Sequence, residues 1–299
     1  MVGVPNLSNT DVEKLISNCT VVGSALRGGQ KIVFPCIISG KKMAAKFILL
    51  TDNYKEIDSK EKEHIEELIS RAKREILTMK QINSPYVVKL GAMLPCITFY
   101  SNQLILYYTE EWIEGTNLAY ILAEKGKLPY KEVLKICLDI TKAIEAIWSI
   151  NKIHRDIKPA NIALRSAAGE YVLLDFGVAF DLTDKSLTRG LYIVGTPIYF
   201  SPEQLNLVNK RSMDFRSDIF SLGVVAYFAM SGQHPFCDCR TSEEEIFYNI
   251  AKKEIIPLNE LDSSIPKEVS DVIGRMLNKN ANARYRKCSK LIEVINSLL

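Results

Sequence analysis

The segment Ile153 to Ala163, IHRDIKPANIA, constrains this chain more than any other. It sets a carboxylate, Asp156, two residues before an ammonium, Lys158, and five before a carboxamide, Asn161. Pro159 fixes a φ angle between them and has no N–H to give to a ladder. Ile162, Ala163 and Leu164 follow as an apolar run, which predicts a loop feeding a buried strand. One loop thus offers a base for a hydroxyl proton, a cation for a phosphate oxygen and a neutral oxygen for a magnesium ion, the parts that phosphoryl transfer needs. A polar surface loop is the plainer reading of any one of these residues, but not of the ordered set.

A second set lies downstream. Tyr171 to Leu174 predicts a short apolar strand that delivers Asp175 at its end, with Phe176 and then Gly177, where the chain can turn away. With His154-Arg155-Asp156 and Asn161 before it, and Gly195-Thr196-Pro197 and Ser201-Pro202-Glu203 after it, the series resembles the ordered motifs of the serine/threonine protein kinases. The resemblance runs from about Cys19 to Leu299, and the Gly28-Gly29-Gln30 hairpin and the Ser201-Pro202-Glu203-Gln204 run are similar to bacterial kinases of the eukaryotic type. It implies an α+β, bilobal kinase-like fold, with a small β-rich N-lobe carrying one long helix and a larger, mainly helical C-lobe. The expected division is an N-terminal extension over 1–18, an N-lobe over 19–111 and a C-lobe over 112–299, with a hinge at 111–114.

The resemblance also implies roles. ATP is the cofactor, with magnesium, or manganese in its place, held by Asn161 and Asp175. Asp156 orients and deprotonates a Ser or Thr hydroxyl of a protein substrate, and Lys158 offsets charge on the transferring group. Lys46, in the apolar strand Met43 to Ile48, holds phosphates and pairs with Glu75 on the next helix. That helix is expected from Glu56 to Ile82, because Ile65, Leu68, Ile69, Ala72, Ile76, Met79 and Ile82 recur at helical spacing. Gly28 and Gly29 belong to the phosphate-covering hairpin, although Leu26 and Lys31 stand where the family carries its other glycines. Val33 and Ala44 lie above the adenine and Ala163 below it, backbone groups of Glu111 and Ile113 bond its edge, and Asn117 completes the cofactor-binding set.

Glu110 falls at the position gating the back of the pocket, where an apolar residue or a threonine is usual. A buried carboxylate there calls for a local cation or a one-residue shift of register. Glu203 and Arg284 are expected as a bidentate ion pair, and Asp218 as the acceptor of backbone N–H groups around His154 and Arg155. On the activation segment, Thr188 and then Ser186 are the expected phosphosites, ordered through Arg155, while the Thr196 hydroxyl bonds Asp156 and Lys158. The alternative to an active, autophosphorylating kinase is a pseudokinase that binds nucleotide and partners only, for which the irregular glycine hairpin is the argument.

Three further patterns complete the expectation: a meander of strands over 20–50, a strand from Leu104 to Tyr108, and an amphipathic helix from Tyr130 to Ile150 with Val133, Ile136, Ile140, Ile144 and Ile147 on one stripe. Thr10-Asp11-Val12-Glu13 has the spacing of a capping box, which predicts a short helix from Asp11 to Ser17. A net charge of +3 argues against a nucleic-acid partner, and no apolar run is long enough to cross a bilayer. Seven cysteines without zinc spacing and without a leader-like N-terminus point to a reducing, cytoplasmic setting. The oligomeric state is left open.

Overall fold

The apolar runs at 32–38 and 43–50 become strands of one sheet, buried on both of its faces. A computed structural model describes residues 4–28, 31–53, 58–175, 180–181, 197–205, 213–238 and 240–299. It divides into two units, Met1–Ile82 with Val88–Ile113 and Asn83–Val87 with Glu114–Leu299. The change of unit therefore falls after Ile113, and residues 83–87 go with the second unit because Val87 bridges Leu173 in parallel and the Tyr86 carbonyl accepts from the Leu173 N–H.

In the first unit a short helix, α1 (Asn9–Leu15), precedes β1 (Cys19–Val21), β2 (Leu26–Gly28), β3 (Lys31–Ile38), β4 (Lys41–Thr51), α2 (Ser59–Thr78), β5 (Cys96–Tyr100) and β6 (Gln103–Glu111). The sheet runs β1-β3-β4-β6-β5, with β2 added on β3. One face carries Ile32, Phe34, Cys36, Phe47 and Ile105, closed over by Leu7, Val12 and Ile16 from the N-terminal stretch. Phe47 lies edge-on to Phe34 and stacks on Tyr107. Leu7, Val12 and Ile16, all before Cys19, are thus part of this core. The other face packs Ile48, Leu104, Leu106 and Tyr108 against Ile65, Ile69, Ala72 and Ile76 of α2.

Two sequence expectations shift. The capping box closes on Ser8, not Thr10: Ser8 Oγ accepts from the Asp11 N–H, and the Asp11 carboxylate accepts from the Ser8 N–H. The carboxylate of Glu13, which the Thr10 box required, instead accepts from the Val21 N–H. Helix α2 begins at Ser59 and stops at Thr78, tightening into a 3-10 turn over Met79–Gln81 that ends when the Ile82 N–H bonds the Met79 carbonyl.

The second unit contains β7 (Gly115–Asn117), α3 (Leu118–Lys125), α4 (Tyr130–Trp148), β8 (Lys152–Ile153), β9 (Ile162–Arg165), β10 (Glu170–Leu173), β11 (Phe180–Asp181), α5 (Pro202–Leu205), α6 (Phe215–Ser231), α7 (Glu243–Lys252), α8 (Leu258–Leu261), α9 (Lys267–Met276) and α10 (Cys288–Asn296). The apolar stripe of α4 is buried along its whole length, and α4 ends two residues before the expected Ile150. Helix α6 is apolar nearly all round because almost every side chain in it is buried. It stops at Gly232, whose φ of 73° is left-handed. β10-β9-β7 form a small sheet, and β8 pairs with β11. Since Ile16 is fully buried in the first unit's core, Ile16→Ala is expected to cost about 2–5 kcal/mol in denaturant unfolding, where a dispensable extension would cost nothing.

Candidate active site

Directly opposed residues in a sheet point the same way, and every second residue along a strand shares a face. The registers Val33 opposite Lys46, Lys46 opposite Tyr108 and Ala44 opposite Glu110 therefore gather Val33, Ala44, Lys46 and Glu110 on one face of the first unit. Leu26 joins them through its pairing with Val33. Thr109 points to the opposite face, where its hydroxyl and backbone meet Met93. Gly91 leaves it the room: a Cβ there would lie 2.4 Å from Thr109 Oγ1.

Glu110 thus lies on the face that carries Lys46, and the local cation is Lys46 itself. The Lys46 ammonium and one oxygen of Glu110 form an ion pair with both side chains buried. The second oxygen, Oε1, is buried and has no hydrogen-bond partner among the described residues. The expected partner, Glu75, lies within α2, but its side chain is outside the described residues. Neighbouring Glu111 has its N–H committed to the Lys89 carbonyl at 2.9 Å, and its carboxylate accepts from the Lys89 N–H at 3.0 Å. Its N–H is therefore already engaged. Ile113 is the last residue of the unit. Gly28 opposes Lys31, and Gly29 lies outside the described residues.

In the second unit, the loop after β8 draws three side chains together. Lys158 Nζ lies 2.8 Å from Asp156 Oδ2. Asn161 Nδ2 donates to the Asp156 carbonyl at 2.8 Å and to Oδ2 at 2.9 Å. The Asn161 amide nitrogen is thus spent on Asp156. Pro159 starts the 3-10 turn Pro159–Asn161 that sets this geometry.

Backbone strain accompanies the site. Arg155 has φ 69° and Asp175 φ 64°, left-handed values that cost a non-glycine residue about 1–3 kcal/mol. Asp218, on α6 and fully enclosed, holds the first of these in place by accepting the N–H groups of His154 and Arg155, both at 2.8 Å. Burial pushes its carboxyl above the usual range, against the pull of His154 and Arg155. His154 is buried. Its Nδ1 accepts from the Asp156 N–H at 3.3 Å, so Nε2 carries the proton and donates to the Leu174 carbonyl at 2.9 Å. The Leu174 N–H in turn bonds the Asn161 carbonyl at 2.8 Å, which sets Asp175 one residue beyond that tether.

Asn117, expected at the cofactor, spends its side-chain oxygen as the N-cap of α3, accepting from the Tyr120 N–H at 2.9 Å. Its strand partner is Ala163, which is buried. Glu203 meets Arg284 in the expected fork, at 2.6 and 2.9 Å, and also accepts from Ser217 Oγ at 2.8 Å. Burial raises the Glu203 carboxyl, but the hydrogen bonds and charge of Arg284 outweigh it and leave it below its usual value. Gln204, the last residue of the Ser201-Pro202-Glu203-Gln204 run, has no role assigned from the sequence; its Nε2 donates to the Arg155 carbonyl at 3.2 Å while its oxygen holds Ser201. Phe176, Gly177, Ser186, Thr188, Gly195 and Thr196 lie outside the described residues.

A family model described as the protein kinase domain matches residues 27–293. The chain belongs to the protein kinase family. This kinase is 30% identical over 227 residues to "Probable serine/threonine-protein kinase CPE1738" of Clostridium perfringens, covering 76% of this chain and 31% of the relative. It is 30% identical over 222 residues to serine/threonine-protein kinase PknB of Mycobacterium leprae, with 74% and 34% covered. PknB of Mycolicibacterium smegmatis gives 29% over 223 residues, with 74% and 34% covered. The kinase thus spans about a third of the length of the curated relatives it matches. Among the described residues, no helix is long and apolar enough to cross a membrane.

Two outcomes follow for this kinase. Glu203→Ala strands a guanidinium that is 0% exposed, and is expected to cost about 3–5 kcal/mol in chemical unfolding. Near the Pro197–Tyr199 turn, His234 lies edge-on to Tyr199, and burial holds its imidazole down at about 4 against an ordinary 6.5. The unfolded chain takes up that proton first, so the His234 contribution to stability is intact above pH 6.5 and is lost as pH falls from 6.5 towards 4. A thermal-melt series over this window is expected to show a shallower acid slope in His234→Gln.

Proposed function

We propose that the protein is an ATP-dependent serine/threonine protein kinase that moves the γ-phosphate of ATP to Ser or Thr hydroxyls of proteins, with phosphorylation of its own activation segment. The observation that carries this reading is the Asp156–Lys158–Asn161 cluster, in which a carboxylate, an ammonium and a carboxamide converge on one loop. The names of the relatives, serine/threonine-protein kinases, support the same substrate class.

The Asp156 carboxylate lies on a half-enclosed loop with Oδ2 bonded by Lys158 and Asn161, which orients it to accept a hydroxyl proton as the oxygen attacks. Lys158 lies where it can offset charge on the transferring group. Lys46, on the strand face beside Val33 and Ala44, meets the phosphates, and the Glu111 carbonyl meets the adenine amino group. The oxygen set of Asn161 and Asp175 fits a hard divalent cation, because the Asn161 nitrogen is already spent on Asp156. Magnesium held there, or manganese in its place, would neutralise phosphate charge. ATP dependence and the free thiols of the described cysteines support a cytoplasmic location.

Intact-mass measurement before and after incubation with Mg-ATP tests the reading. Discrete phosphate additions are expected in the wild-type chain and none in Asp156→Asn, with peptide mapping deciding between Thr188 and Ser186. A chain that is stabilised by ATP yet adds no phosphate to itself or to a general Ser/Thr substrate protein would be a pseudokinase, and the proposal would fail.

A further inference from the structure

Glu110 has no task in the chemistry above. Its side chain is 2% exposed, Oε2 rests on the Lys46 ammonium, and Oε1 is buried with no hydrogen-bond partner among the described residues. Lys46 and Glu110 lie on the same sheet face as Val33 and Ala44, so the pair stands beside the surface assigned to the nucleotide. A phosphate that reaches Lys46 meets a cation already engaged. Two anions sharing one ammonium sit within about 6 Å of each other, and in a poorly hydrated site they repel strongly. A Lys46 that turned fully towards phosphate would leave a buried carboxylate with neither of its oxygens held by a described group.

We infer that Glu110 is a specificity-determining residue that competes with nucleotide phosphates for Lys46, weakening the hold on the phosphates while leaving the hold on the nucleoside unchanged. The inference rests on the proposed role of Lys46 as a phosphate ligand. Glu110→Gln keeps the size and shape of the side chain and removes the charge. Glu110→Thr removes the charge in a smaller side chain, and a folded Thr variant keeps the question answerable if the Gln variant does not fold.

The test is titration calorimetry of the full chain with adenosine and with ADP, on wild type, Glu110→Gln, Glu110→Thr and Lys46→Met, each checked first for a single thermal transition. Removal of one neighbouring charge is expected to tighten ADP binding by about tenfold and to leave adenosine within about twofold. ADP affinity unchanged or weakened in the Glu110 variants, with adenosine affinity kept, overturns the inference. An equal tightening of adenosine overturns it as well, since the effect would then be one of pocket shape. Lys46→Met separates the two readings: if it leaves ADP affinity at the wild-type value, the phosphate role of Lys46 is itself wrong. If it weakens ADP while Glu110→Gln fails to strengthen it, only the competition is wrong.

Discussion

The buried carboxylate of Asp218 is the contact on which the second unit's chemistry depends. It accepts two successive backbone N–H groups, those of His154 and Arg155. Enclosing a carboxylate is costly, and burial does raise its pKa, but two charge-assisted bonds to fixed donors offset much of that cost. What the pair of bonds secures is the left-handed turn at Arg155, which a non-glycine residue would otherwise leave. From there the order propagates: His154 to the Leu174 carbonyl, the Leu174 N–H to the Asn161 carbonyl, and the Asn161 amide to Asp156. Each step uses the partner the previous one leaves available, so the loop and the end of β10 are placed by one connected network.

The first unit solves a different problem, that of seating a lysine side chain in a buried sheet face. Lys46 is 5% exposed, flanked on its face by apolar residues of β3, β4 and β6. The Glu110 carboxylate makes that position tolerable in the nucleotide-free chain, at the expense of an oxygen of its own that has no hydrogen-bond partner among the described residues. Such an arrangement stabilises little by itself, because both charges have been taken out of water. Its value lies in holding the ammonium at a defined place on the face that also carries Val33 and Ala44. The opposite face, sealed by Phe34, Phe47 and the N-terminal residues Leu7, Val12 and Ile16, keeps the strands in register.

Much of this was legible along the chain. The 3.6-residue stripe of α4, the apolar runs of β3 and β4 and the Asp156–Asn161 spacing follow from residue type and order, whereas the two long-range pairs, Asp218 with His154–Arg155 and Glu203 with Arg284, are implied by the kinase resemblance. Local capping was legible only in kind. Both Ser8 and Thr10 have an acidic residue three positions on, and the choice fell to Ser8 because the Val21 N–H holds the Glu13 carboxylate. Asn117 has the side chain of a ligand and of a helix cap alike, and the helix that begins at Leu118 takes it.

By itself the sequence determined which residues can do chemistry, because a carboxylate, an ammonium and a carboxamide at fixed spacing on one loop are brought together by the local turn at Pro159. Only the tertiary structure decided the company of Lys46. Residues 46 and 110 meet through the register between β4 and β6, and register is set by which face each strand buries, a property of the assembled sheet and not of either strand alone.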